Sequence, residues 1–217
     1  MNNILRTDSR QVQSEIQSPH IDPVLKKLGP LPENGLFFGM ADDDWPVLHD
    51  LDEHKTPYMV HAEEGWGKTH LLRVVLYAAL FMRTWKPRVL SPMVLTNNLH
   101  EWNDFGDVVT VREINQGSVQ LALQGGDVAA IHLQPCEYLL ILIDGWEGIS
   151  PELQCMIREM LPHQKQICTM ITTRIDDGTM DTYRIRSGYR PGHFRTRDQE
   201  GRPLYFFVPG LDRRGYG

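Results

Sequence analysis

At 217 residues the chain is long enough for one well-cored α/β domain and too short for two large ones. Apolar residues make up 41% and charged residues 23%, the balance of an ordinary globular protein. No apolar run approaches the roughly 20 residues that cross a bilayer, and Met1 to His20 is polar, without a signal-peptide core, so the cytoplasm is the expected compartment. The three cysteines, Cys136, Cys155 and Cys168, stand singly, without the short spacing of a zinc site, and read as reduced structural thiols.

The net charge of −6 hides an asymmetry. From Glu33 to Glu64 nine acids face one base, Lys55. From Tyr183 to Gly217 eight arginines face three acids, and there is no lysine. Such a basic end is either a solvated hairpin face or a surface that contacts phosphates or another subunit. Arginine's planar fork suits bidentate carboxylate and phosphate contacts.

In chain order, residues 1–34 read as a polar arm punctuated by Pro23, Pro30 and Pro32, and 35–217 as a single domain. Gly35 to Met40, an acidic turn at Asp42-Asp43-Asp44, and Trp45 to Leu51 predict a β-hairpin. Tyr58 to Ala62 is the first buried strand. Leu71, Leu72, Val75, Ala78, Ala79 and Met82 recur at helical spacing and predict a helix over 68–83. Met93 to Thr96 and Asp107 to Val111 follow as strands, with a short helix from Gly117 to Leu123 before the Gly125-Gly126 turn. Tyr138 to Asp144 is nearly continuous in apolar residues, as befits a parallel strand covered on both faces. Ser150-Pro151-Glu152 starts a helix, with a capping serine and a proline in its first turn. Gln166 to Thr173 is the next buried strand, and His193 to Arg197 with Arg202 to Val208 forms a closing antiparallel hairpin.

The chemistry gathers after the Tyr58 strand. Ala62-Glu63-Glu64-Gly65-Trp66-Gly67-Lys68-Thr69-His70 places a glycine-bearing loop between a strand and a helix. That is the layout of a phosphate-binding P-loop, with ATP as the expected ligand. Loop amides and the positive helix end face the phosphates, Lys68 adds a point charge, and the Thr69 hydroxyl binds Mg²⁺. A surface lysine would be disfavoured at a helix start, so its presence there supports the motif. The strand ending in Asp144 supplies the carboxylate that holds Mg²⁺ through water. Lys68 and Asp144 are thus candidate catalytic residues, and Thr69 and Asp144 the candidate metal pair.

Departures from the motif are informative. Ala62 stands where such loops usually begin with glycine. Glu63 and Glu64, if aimed inward at about 10 Å, would each cost on the order of 1.5 kcal/mol, so they are expected to point outward. Trp66 is expected to pack on a neighbour or the adenine side. Gly145 occupies the position where many such ATPases carry a water-activating glutamate, and Glu147 is the candidate substitute. Nucleotide binding is therefore better founded than hydrolysis.

Gly39 to Leu51, Pro57 to Leu72, the run L-I-L-I-D-G-W-E-G from Leu140 to Gly148, and Gly192 to Leu211 together resemble the FtsK/SpoIIIE and HerA-type P-loop ATPases. The Asp-Gly-Trp version is similar to ATPase modules of type VII secretion motors. The resemblance implies an α/β, RecA/FtsK-like fold: a mostly parallel sheet flanked by helices, with β-hairpins at both ends. It further implies ATP and Mg²⁺ as cofactors, a homo-oligomeric ring or larger ATPase assembly, and DNA as a substrate. Thr172 or Thr173 would sense the γ-phosphate, and Arg174 and Arg158 are candidates for an arginine acting in trans. The chain is shorter than the family pattern, which lacks here most of a helical insert before the Asp144 strand. Two alternatives stand beside the motor: a non-hydrolysing nucleotide-binding adaptor, and a DnaA-type initiator or loader, which Gly67 to Leu72 also resembles.

Overall fold

A computed structural model describes residues 20–32, 35–51, 56–83, 89–123, 138–161, 167–175, 178, 180–198 and 200–211. Cys136, Gly125-Gly126, most of the polar arm, and Arg213 and Arg214 lie outside the described residues. The strands form one ten-stranded sheet, in the order β2-β1-β10-β9-β8-β3-β7-β6-β4-β5. These are β1 (Gly35–Ala41), β2 (Pro46–Asp50), β3 (Tyr58–His61), β4 (Val89–Thr96), β5 (Thr110–Arg112), β6 (Tyr138–Asp144), β7 (Ile167–Thr173), β8 (Tyr183–Ser187), β9 (His193–Arg197) and β10 (Pro203–Phe207). From β8 through β3, β7, β6 and β4 to β5 every pairing is parallel; from β8 back through β9, β10 and β1 to β2 every pairing is antiparallel.

Strand pleating divides the core in two. Successive side chains point to opposite faces, so Tyr58 and Val60, Leu140 and Leu142, and Met170 join one apolar cluster. Met59, Leu139, Ile141, Ile143 and Ile171 join the other. The first face is covered by α1 (Ile21–Leu28) and α2 (Lys68–Arg83). The second is covered by α3 (Gln116–Leu123) and α4 (Pro151–Met160). The α/β class expected from the continuous apolar strands is the observed one, with both hairpins side by side at one end of the sheet and the parallel strands running from β8 to the other edge.

Two elements were not expected. α1 falls inside the stretch read as a polar arm. Ile21, Val24 and Leu25 share one side of it, and all three are buried. Asp22 in its first turn and Lys26 and Lys27 in its last suit the helix dipole. The Tyr77 hydroxyl on α2 donates to Asp22, and the Ile21 amide donates to the Gly210 carbonyl at 2.9 Å. β8 is the second. It reads Tyr-Arg-Ile-Arg-Ser, and only Ile185 is fully buried, so its sequence looked like part of a charge run. It is the joint of the sheet, parallel to β3 and antiparallel to β9.

The expected strand at 107–111 shortens to Thr110–Arg112, because Leu99–Phe105 forms a 3₁₀ segment whose turns extend to Val109. That segment buries Trp102 and Phe105. Ser150 caps α4, its hydroxyl accepting from the Leu153 amide. Cys168 is buried, which pushes its thiol up to about 12, while Cys155 is exposed. No helix among the described residues is long and apolar enough to cross a membrane.

Candidate functional site

The site lies at the carboxyl ends of β3, β6 and β7. β7 runs between β3 and β6, so the loop after β3 and the acid ending β6 face each other across the end of β7. Gly65 and Gly67 have φ of +77° and +88°, values that L side chains rarely adopt. They bend the loop so that α2 begins at Lys68. The Leu71 amide bonds back to the Gly67 carbonyl at 2.9 Å, closing the first turn.

Lys68 folds over its own loop. Its Nζ donates to the Ala62 carbonyl at 2.7 Å and to the Glu63 carbonyl at 2.9 Å. Burial pulls the ammonium below the usual lysine range, and Glu147, Asp144 and Glu63 pull in the opposite direction. Glu63 and Glu64 are both exposed. Glu64 is 89% exposed, pairs with Arg174 at 3.4 Å and also lines the cleft beside the loop.

Asp144 is the centre of a small network. Its Oδ1 accepts from the Thr69 hydroxyl at 3.1 Å and from the Thr172 hydroxyl at 2.8 Å. Its Oδ2 accepts from the Trp102 indole N–H at 3.2 Å. The Thr172 hydroxyl in turn accepts from the Gly145 amide at 2.8 Å. Thr69 and Asp144, 75 residues apart in sequence, are brought together by the fold. Nothing in the sequence marks Trp102, because nothing local ties an indole on a 3₁₀ segment to a strand-end acid.

The backbone also explains the missing glutamate. Gly145 has φ +100°, in the region that disfavours side chains. The next carboxylate is Glu147, on the 3₁₀ turn Trp146–Gly148. Its Oε1 accepts from the Thr173 hydroxyl at 3.1 Å and from the Arg174 amide, and lies 3.9 Å from the Arg174 Nε. At the end of β7 the Thr172 hydroxyl holds Asp144, while the Thr173 hydroxyl lies between Glu147 and the Ile175 carbonyl, 2.8 Å away. Arg174 contacts acids of its own chain, and the Arg158 guanidinium sits 5.4 Å from the Trp146 ring centroid.

A cleft of about 430 Å³ opens beside the loop, lined by residues that include Gly67, Lys68, Thr69, His70, Arg73 and Leu211. Glu64, Gly65 and Glu101 complete its lining, and Leu211 lies just beyond the closing hairpin, which is tied to the loop and to α2. The Gly192 amide donates to the Trp66 carbonyl at 3.1 Å. His70 Nε2 donates to the Pro209 carbonyl at 2.8 Å, and burial lowers its pKa despite that bond. Trp66 packs partly buried against the core cluster that includes α2. His70 thus lines the cleft and anchors the segment that follows the closing hairpin.

This arrangement is that of a P-loop ATPase fold, and comparison with solved structures agrees. EssC (ATPases 2 and 3) from Geobacillus thermodenitrificans superposes with a TM-score of 0.70 at 10% identity, covering 91% of this chain and 45% of that one. EccC (ATPases 2 and 3) from Thermomonospora curvata, solved with a signal sequence peptide, gives 0.62 at 12% identity, covering 90% and 43%. A structure described as an ATPase gives 0.64 at 12% identity, covering 92% of this chain and 97% of that one. The chain spans less than half the length of the EssC and EccC structures. No protein-family model and no curated protein matches the sequence. The chain therefore has an FtsK-like P-loop ATPase fold, and at these identities the likeness speaks for the fold alone.

Proposed function

We propose that the chain binds ATP with Mg²⁺ and acts as an ATPase motor subunit within a larger assembly. The observation that carries this reading is the contact of Thr69 Oγ1 with Asp144 Oδ1 at 3.1 Å, below a loop whose Lys68 already reaches over the Ala62 and Glu63 carbonyls. The donor set fits the ligand. A hydroxyl and a carboxylate suit a hard cation, and a left-handed glycine pair frees loop amides for an anion. Bound Mg²⁺ would neutralise phosphate charge and would be held by Thr69 and Asp144. Lys68 would exchange its two carbonyl acceptors for phosphate oxygens, a stronger charge-assisted contact. Thr172 and Trp102 keep the Asp144 carboxylate turned toward Thr69. Glu147, steadied by Thr173 and the Arg174 amide, is the carboxylate placed to orient water.

The closing strands β9 and β10 favour this reading over a DnaA-type initiator, which would end in a helical lid. The polymer moved is proposed to be DNA. EccC was solved with a signal sequence peptide, which makes polypeptide the second candidate. A nucleotide-binding adaptor without hydrolysis is the competing reading, favoured by Gly145 in the glutamate position. Binding of a fluorescent ATP analogue with and without Mg²⁺, followed by turnover with and without DNA, separates them. Lys68→Ala should abolish both binding and turnover. Wild-type protein indifferent to millimolar ATP and Mg²⁺ would sink the proposal; binding without turnover would select the adaptor.

A further inference from the structure

The turn between β8 and β9 reaches across to the phosphate loop. Residues Gly188 to His193 close on themselves: the Gly188 amide donates to the His193 carbonyl at 2.9 Å, and the His193 amide to the Arg190 carbonyl at 3.0 Å. The Gly192 carbonyl accepts from the Val208 amide at 2.9 Å, just past β10, and the Gly192 amide donates to the Trp66 carbonyl at 3.1 Å. Gly67 lies against this strap; a methyl group added to it would stand 3.8 Å from the Gly192 nitrogen. In a trans peptide the carbonyl and the following amide point in opposite directions, so the bond to Gly192 turns the Gly67 amide away from the strap. Gly67 sits at φ +88°, and glycine takes positive and negative φ about equally well. The loop's own sequence therefore does little to stop the Trp66–Gly67 peptide from flipping, and the strap supplies that restraint.

Side chains in turn hold the strap. Arg190 Nε donates to His193 Nε2 at 2.6 Å. His193 is 4% exposed, and its ring centroid lies 4.6 Å from that of Tyr189 and 6.0 Å from that of Phe207 on β10. The Tyr189 hydroxyl donates to Asp42 Oδ1 at 3.2 Å, which ties the strap to the β1–β2 turn. Because Nε2 accepts, the imidazole is neutral, with its hydrogen on Nδ1. A second proton would set two cations in contact. The charged and titratable groups facing His193 are Arg190 and Tyr189 from the strap and Asp42 from the β1–β2 turn. Burial and Arg190 hold its pKa below the ordinary 6.5, and Asp42 opposes them.

We propose that Arg190 and His193 are positioning residues for the phosphate loop, and that protonation of His193 releases the loop from the strap. With the imidazole neutral, the strap keeps the Gly67 amide turned toward the triphosphate. With it charged, Arg190 is repelled, the Gly192–Trp66 bond loosens and the amide turns away. The restraint is complete above about pH 6.5 and is lost as pH falls through the lowered value of His193. This inference rests on the ATP-binding reading above and adds its regulation, in the direction of weaker binding in acid.

Binding of the fluorescent ATP analogue with Mg²⁺ to the full chain, from pH 8 to pH 5, tests it in wild type, His193→Gln and Arg190→Met. The glutamine amide oxygen accepts from Arg190 where the imidazole did but does not titrate. Arg190 is exposed, and circular dichroism checks that both variants fold. At pH 8 Arg190→Met should bind about tenfold more weakly than wild type, while His193→Gln retains most of the affinity. At pH 5 wild type should fall about tenfold below His193→Gln; His70 and the phosphates titrate in both proteins and cancel in that comparison. Parallel pH profiles for wild type and His193→Gln, or undiminished affinity in Arg190→Met, would overturn the inference. Hydrogen–deuterium exchange at pH 8 without nucleotide gives an independent reading, because residues 62–71 have the same sequence in every sample. Their amides should exchange faster in Arg190→Met, and equal exchange would also overturn the inference. If wild type binds no analogue, the ATP reading fails, while faster exchange in Arg190→Met would still uphold the strap.

Discussion

Replacing Thr172 by valine probes the link between Asp144, the acid proposed to hold Mg²⁺, and the sheet. The substitution conserves shape at a position only 1% exposed. It removes the hydroxyl that donates to Asp144 Oδ1 at 2.8 Å and accepts from the Gly145 amide at 2.8 Å. A hydrogen bond to a charged group contributes about 1.5–3 kcal/mol, and a buried amide left without its acceptor costs about 1–3 kcal/mol. The two effects share one atom and do not add in full. The expected loss is about 2–4 kcal/mol, a large part of the 5–15 kcal/mol or so that holds a domain together. Thr172→Ser keeps the hydroxyl and loses one methyl, for about 1 kcal/mol. Urea denaturation followed by circular dichroism should show the valine midpoint well below that of serine, with unchanged slopes. If valine lies within about 0.5 kcal/mol of wild type, or if serine is as damaging as valine, the network around Asp144 does not carry the role assigned to it.

Two other outcomes follow from the same geometry. Glu147→Gln keeps the shape of the side chain but removes the carboxylate beside Thr173; ATP turnover should fall by at least about a hundredfold while analogue binding persists, and equal loss of both would mean that the residue holds nucleotide instead. Burial lowers the pKa of His70 and of His193 below the ordinary 6.5, with Arg190 adding to the effect at His193. The unfolded chain then binds more protons than the folded one, so both contributions are complete above about pH 6.5 and decline as pH falls toward the lowered folded values. Urea midpoints measured from pH 8 to pH 5 should drop across that window, and His70→Gln should flatten part of the drop; an identical pH profile in the variant would remove His70 from the account.

The local sequence by itself determined the elements whose signals are local. Tyr138 to Asp144 announces a doubly covered strand because a parallel strand between two layers has no polar face. The P-loop is legible because glycines, a lysine at a helix start and a following apolar helix are consecutive residues. The spacing of α2 and the closing hairpin were legible for the same reason. What remained hidden depends on partners distant in the chain. Arg184 and Arg186 look like solvated charge until β8 is inserted between β3 and β9. Ile21, Val24 and Leu25 are three apolar residues among polar ones until α1 lies against α2. Trp102 and Thr172 become supports of Asp144 only when the sheet order sets β7 between the loop strand and the acid strand. Gly145 looks like a lost catalytic residue in sequence; only its left-handed backbone shows that the turn disfavours a side chain there, the next carboxylate being Glu147. Periodicity and turn chemistry act over a few residues, whereas strand order and register bring together groups that the chain alone keeps apart.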